Sequence, residues 1–169
     1  MKIKKILNNN AAIVVEDNQE KIVIGSGIAF NKGKNDLINR NKIDKLFVMK
    51  NDNHAEQLLP QISVEHMALT QEIIQHAEDC LQVKLNPHIF IALADHLSFA
   101  IERYENGIFI KNKLLSEIRI LYKKEFDIGI WAINYIEDKI GSRMPIDEAA
   151  FIALHLHTAS VPSGNLQVS

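Results

Sequence analysis

The stretch LNNNAAIVVEDNQEKIVIGSGIAF, Leu7 to Phe30, decides how the front of the chain is read. Two apolar runs in it, AAIVV and IVIG, are rich in β-branched residues and ask to be strands. Between them sits EDNQE, a turn composition. The same stretch carries three consecutive asparagines and a glycine pair around one serine. Asn and Gly are depleted from strands, because they cost entropy and offer little to pack. One reading makes NNN a hairpin turn and the glycines a bulge. The other gives these residues a ligand to meet.

Working outward, β-type runs recur through about residue 50, at IVV, KIVIG and LFVM, separated by EDNQE and NKGKND. No helical stripe is sustained there, so a meander of about four short antiparallel strands is expected. After about residue 63 the period changes. SVEHMALTQEIIQHAEDCL places Val64, Met67, Ile73 or Ile74, Ala77 and Leu81 at helical spacing. In NPHIFIALADHLSFAIERYENG, Asn86 is an N-cap candidate and Pro87 suits the first turn. Phe90, Leu93, Leu97, Ile101 and Tyr104 form its stripe, and Gly107 is a stop. LLSEIRILY, FDIGIWAINYIEDKIG and MPIDEAAFIALHLHTA complete five helices, the last opened by Pro145 with Asp147 and Glu148 near its positive end.

The expected fold class is therefore α+β in two separate domains, a small antiparallel sheet followed by an all-α five-helix bundle. The sheet domain is expected over residues 1–52, a linker over 53–64, the helical domain over 65–161, and the start of a further linker over 162–169. Charge divides the same way. Residues 1–52 hold ten Lys or Arg against six Asp or Glu, a net +4, whereas residues 53–169 hold nine against fifteen, a net -6. Such a split points to two units with different partners. No run of about 18 apolar residues is present, so no membrane insertion is expected. The N-terminus MKIKKILNNN lacks the apolar core of a secretory signal. One cysteine, Cys80, excludes an internal disulfide framework and fits a reducing cytoplasm; it is expected to pack in its helix. A β-module of about 50 residues buries little core alone, so self-association as a homodimer is the physical expectation.

A basic sheet with spare amides and glycines can read nucleic acid. Lys neutralises phosphates, Asn offers donor and acceptor to a base edge, Gly lets a base approach the backbone, and an exposed aromatic stacks on an unpaired base. The stretch supplies Lys5, Asn8 to Asn10, Gly25, Gly27 and Phe30 for these roles. A recognition helix for double-stranded DNA has no place in residues 1–52, which carry no helical stripe.

At these residues the chain resembles a known family. KIKKILNNNAAIVV, IGSGIAFNKGKNDLI and IDKLFV resemble the RNA-binding co-antiterminator domain of transcriptional antiterminators of the BglG/SacY/LicT type. LADHLSFAIER and DEAAFIALHLHTA are similar to the two histidine-bearing segments of that family's first regulation domain under the sugar phosphotransferase system (PTS). The resemblance covers about residues 1–160 in the right order, and leans toward the LicT and GlcT types, the latter through HLH near the end. It implies a dimeric, non-enzymatic regulator with no cofactor. Its β-module would bind an antiterminator hairpin in leader mRNA, block the overlapping terminator and let transcription run into sugar-uptake genes. By motif position Lys5, Asn10, Gly25, Ser26, Gly27 and Phe30 fall where the family contacts RNA. Position 26 is often arginine in the family; here Ser26 removes a cation. The family usually carries two regulation domains, so a chain with one is expected to be a fragment ending in the VPSGNLQVS linker.

Seven histidines remain to be sorted. His54, His66, His76 and His88 stand at polar or junction positions and are expected on the surface or at caps. His96 follows Asp95 in an apolar helix, with Arg103 two turns on along the same face. His155 lies in FIALHLHTA, apolar on nearly every side. His157 points about 200° away from His155 at 100° per residue, and is expected to be structural. For His96 and His155 three readings stand: satisfied core imidazoles, ligands of a metal-dependent hydrolase with Asp95, or neutral nucleophiles that accept a phosphoryl group. The resemblance favours the third, since both match the family's phosphorylated histidines. It implies the PTS sugar permease and phosphocarrier protein as partners, with phosphorylation of this domain usually inhibitory.

Overall fold

The computed structural model describes residues 1–48 and 61–161. Two compact units divide the chain, Met1–Ala68 and Leu69–Ser169. Residues 53–60 of the expected linker, with His54 among them, and residues 162–169 lie outside the described residues.

The first unit is a four-stranded antiparallel sheet in the order β1-β2-β3-β4: β1 Lys2–Asn8, β2 Ala11–Glu16, β3 Gln19–Ile24 and β4 Lys45–Val48. Two tight turns set its register. Asp17 and Asn18 join β2 to β3 with φ of 53° and 60°, the doubly left-handed turn whose twist matches a hairpin and which Asp and Asn tolerate. Asn9 and Asn10 join β1 to β2, with Asn8 opposite Ala11. The irregularities fall in β1, between Ile3 and Lys5 and between Ile6 and Asn8, not at the glycines.

From Gly25 the chain leaves the sheet and folds beneath it. Ile28, Ala29 and Ile38 pack on Ile3, Ala12, Val14 and Val23. The returning segment then lines the outer edge of β1, where Ile3 N–H donates to the Asp36 carbonyl at 2.9 Å and Asn35 N–H to the Ile3 carbonyl at 2.7 Å. That cover satisfies backbone groups an edge strand leaves open. A 3₁₀ turn at Arg40–Lys42 leads into β4. Glu16 holds this corner by pairing with both Lys21 and Arg40, and Lys4 pairs with Glu20. Lys4, Lys21 and Arg40 of the basic front segment are thus engaged in internal ion pairs.

Five α-helices follow among the described residues: α1 Val64–Leu81, α2 Ile89–Glu105, α3 Leu115–Leu121, α4 Lys123–Ile140 and α5 Ile146–Ser160. Ser63 caps α1, its hydroxyl accepting from His66 N–H at 3.1 Å. The α2 stripe Phe90, Leu93, Leu97, Ile101 and Tyr104 is buried throughout, as are Ile73, Ile74 and Ala77 of α1 and Ala132 and Ile136 of α4. A second cluster joins Ile118, Phe126, Ala149, Ala150 and Ala153, so α5 is covered on two sides. Gly141, at φ 75°, ends α4 in the left-handed conformation that glycine adopts without strain.

Three local expectations are corrected. Asn86 caps a turn ahead of α2, accepting from His88 N–H at 3.0 Å, and the helix itself starts at Ile89. Ile89 N–H bonds the Asn86 carbonyl at 3.0 Å and Phe90 N–H the Pro87 carbonyl at 3.2 Å, a tight turn that precedes the helix. Cys80 is exposed rather than packed, with its Sγ 3.4 Å from His76 Nε2. His76 is half-buried and stacks on Trp131, ring centroids 3.7 Å apart. In neither case could helical periodicity foresee which partner helix would lie alongside.

Candidate functional site

The question raised by the asparagines and glycines has a structural answer. The Asn9–Asn10 turn and the Gly25–Phe30 loop are stitched together at one end of the sheet. Gly25 N–H donates to the Asn10 carbonyl at 2.9 Å, and Ala29 N–H to the Asn9 carbonyl at 2.9 Å. Gly27 N–H donates to Asn10 Oδ1 at 2.8 Å. The Asn10 carboxamide oxygen, expected to face a base, therefore acts first as a brace for the loop. Gly25 is required by space: a Cβ there would lie 1.9 Å from the Lys42 carbonyl oxygen. Gly27 is required by conformation, at φ 66° with open space around it.

What this brace presents is Ser26 and Phe30, both on the solvent side. Phe30 is 66% exposed, a large apolar ring presented to water by a turn in which its own N–H donates to the Gly27 carbonyl at 3.1 Å. Lys5 lies on β1 opposite Ile13, exposed, and Asn8 ends the same strand. The sequence-predicted set is thus reached from the β1–β2 turn and the loop after β3. Its glycines and Asn10 shape the edge, while Phe30, Ser26 and Lys5 supply exposed chemistry.

The second constellation lies in the helical unit. α2 brings His96 and α5 brings His155 together, with ring centroids 5.1 Å apart. Phe151, one turn before His155, packs 5.5 Å from the His96 ring. His96 Nε2 hydrogen-bonds Glu148 Oε1, and the Tyr104 hydroxyl donates to Glu148 Oε2 at 3.2 Å. Glu148 is fully buried. Burial, and then the charge of Glu148, push the Tyr104 hydroxyl well above the usual tyrosine range. Burial and the neighbouring His96 push the His155 imidazole down to about 4, against a partial opposite pull from Glu148. His155 is therefore neutral near pH 7, with its ring lone pair available. It borders a cleft of about 410 Å³ that is also lined by Ile89, Ala92, Phe151, Leu154 and Thr158.

Glu148 and Tyr104 were not singled out by their sequence context as partners of His96. A carboxylate two turns before His155 in an otherwise apolar helix was the available signal; a place near the helix start accounted for it too easily. Asp147, read with it as a dipole partner, accepts from Asn112 N–H at 2.8 Å and pins the loop before α3. Asp95 is half-buried beside His96. The metal reading fails on ligands: among the described residues no group of three or more His, Cys, Asp or Glu could hold an ion, and His96 Nε2 already faces Glu148. His157 is held apart from the pair, its Nδ1 3.0 Å from Glu125 Oε2 and its ring stacked on Tyr122.

Comparison with known proteins divides the chain in the same order. Residues 1–56 match the CAT RNA binding domain, and residues 71–159 match the PRD domain. The chain belongs to the CAT–PRD antiterminator family. Transcription antiterminator LicT of Bacillus subtilis is 43% identical over 165 residues, covering 95% of this chain and 60% of the relative. The beta-glucoside operon antiterminator of Dickeya chrysanthemi is 41% identical, covering 96% of this chain and 59% of that one. The chain thus spans about three fifths of the length of these CAT–PRD relatives. The crystal structure of GlcT CAT-PRDI superposes with a TM-score of 0.81 at 35% identity, covering 95% of this chain and 98% of the other. In CAT–PRD terms the asparagine–glycine edge lies in the CAT match, and His96, Glu148 and His155 lie in the PRD match. No described helix is long and apolar enough to cross a membrane.

Proposed function

We propose that this chain is a cytoplasmic transcriptional antiterminator that binds a hairpin in leader mRNA through the edge built by Asn9–Asn10 and Gly25–Phe30. Residues 1–52 form the RNA-binding domain, 53–64 a linker and 65–161 the regulation domain. One observation carries the reading: the 66%-exposed Phe30 ring, presented by the loop that Asn10 braces, within a CAT RNA-binding match. Burying a base on that ring recovers apolar contact that water denies it, while Lys5 adds charge attraction to the RNA backbone. Asn8, Ser26, Gly25 and Gly27 complete the contact set. Bound protein keeps the hairpin folded and prevents the competing terminator from forming.

Control comes from phosphorylation of His96 and His155 by the PTS permease and phosphocarrier protein. Each phosphate adds about -1.5 to -2 charges, by analogy with other phosphorylated side chains. In an acidic regulation domain that pairs as a homodimer, such charges repel across the two-fold interface. The loosened dimer holds its two RNA-binding domains less well in register, and RNA affinity falls.

The test is leader-RNA binding by wild type and Phe30→Ala at several salt concentrations. Phe30→Ala is expected to weaken binding by about 1–3 kcal/mol with unchanged folding, and wild-type affinity to fall steeply as salt rises. Equal affinity of the two proteins at every salt concentration rules this edge out.

A further inference from the structure

We infer that Glu148 is a positioning residue that makes Nδ1, rather than Nε2, the phosphoryl-accepting nitrogen of His96. The inference rests on the reading above that His96 is phosphorylated. It goes further by naming the atom and the residue that selects it.

An imidazole has two ring nitrogens, and each attacks phosphorus only along its in-plane lone-pair direction. At His96 the Nε2 direction is occupied by Glu148 Oε1. This holds wherever the shared proton sits, because the carboxyl oxygen fills the approach in either case. Nor can the carboxylate swing aside. Glu148 is fully buried, its other oxygen accepts from the Tyr104 hydroxyl at 3.2 Å, and it stands in the first turn of a helix packed on both sides. Tyr104 and His96 both project from α2, so one helix grips both oxygens. Nδ1 is the nitrogen turned away from this clamp, on a side chain that keeps 20% of its surface exposed.

Charge acts in the same sense. An incoming phosphoryl group is anionic and is repelled from the side on which Glu148 sits. After transfer to Nδ1 the ring retains its Nε2 proton and carries positive charge, which the carboxylate stabilises through a charge-assisted hydrogen bond. With phosphoramidate as donor the step balances. The Nδ1 lone pair forms the new N–P bond, the donor's N–P bond breaks, and its electron pair leaves with ammonia. The Nε2–H remains directed at Glu148.

The experiment treats the full chain, in a His155→Ala background, with potassium phosphoramidate. ³¹P and ¹⁵N correlation spectra distinguish the Nδ1 and Nε2 isomers of phosphohistidine, and the same protein with His96→Ala supplies the baseline. Expected is the Nδ1 isomer alone at His96. Glu148→Gln is expected to keep that isomer, because its carboxamide still fills the Nε2 direction. Glu148→Ala is expected to yield both isomers, because the Nε2 direction is then no longer filled by a carboxyl oxygen. A purely structural role for Glu148 would change yield without changing the isomer ratio. Nε2-phosphate in the wild-type ring, or an unchanged ratio in folded Glu148→Ala, overturns the Glu148 assignment and leaves His96 an acceptor. No phosphate at His96 in any protein overturns that reading and the assignment with it. If Glu148→Ala loses its helical circular-dichroism signal, the wild-type isomer decides alone: Nδ1 upholds the assignment and Nε2 ends it.

Discussion

Acidification should unfold the helical unit in a way that His155 partly controls. Burial beside His96 lowers its folded-state pKa from 6.5 to about 4. Between those values the unfolded chain binds a proton at position 155 that the folded chain refuses, so stability falls as pH falls. Above pH 6.5 the effect is absent. Linkage at 1.36 kcal/mol per pH unit makes the loss about 2 kcal/mol between pH 7 and pH 5, and about 3 kcal/mol near pH 4. Acidification changes other groups in the same unit, so the useful quantity is a difference between two proteins. Wild type and His155→Gln are compared by urea unfolding at pH 7, 6 and 5. Trp131 is the only tryptophan in the chain and lies on α4, so its fluorescence reports the helical unit alone. The wild-type stability should drop more steeply than that of His155→Gln, by about 2 kcal/mol over this range. Parallel curves, or a His155 resonance titrating near 6.5, would refute the claim that the fold keeps this imidazole neutral.

Gly25→Ala should destabilise the sheet unit by about 1–3 kcal/mol, because the added Cβ meets the Lys42 carbonyl at 1.9 Å and must push backbone aside; amide hydrogen exchange of β3 and β4 measures this. Asn10→Ala removes the acceptor of Gly27 N–H and should weaken leader-RNA binding about five-fold, near 1 kcal/mol, with the strands still protected in the same exchange experiment. His96→Asp and His155→Asp should each lower read-through of a leader reporter several-fold, while the Ala variants keep it. Asp carries one charge against about two for phosphate, so partial effects are expected. Asp variants equal to wild type in a strain whose permease still represses would remove these histidines from the switch.

Periodicity alone located the elements. Alternation and β-branched runs marked the strands through residue 48, and the stripe Phe90, Leu93, Leu97, Ile101, Tyr104 marked the buried face of α2, because both patterns follow from side-chain geometry within one element. The histidine positions and the Phe30 loop were legible for a different reason: their motifs resemble a family, and the matches over residues 1–56 and 71–159 agree. What each residue touches was not legible. Asn10 looked like a ligand to a base and also braces Gly27; Gly25 looked like room for RNA and also makes room for the Lys42 carbonyl. Glu148 looked like a dipole partner and is the buried clamp on His96, 52 residues away in sequence. Cys80 fitted an apolar stripe and faces solvent. These are contacts between elements distant along the chain. Local spacing determines which side of a helix or strand a residue occupies, whereas only tertiary packing decides what lies opposite, and so which polar group is satisfied, which is displaced from its usual pKa, and which is left for a partner.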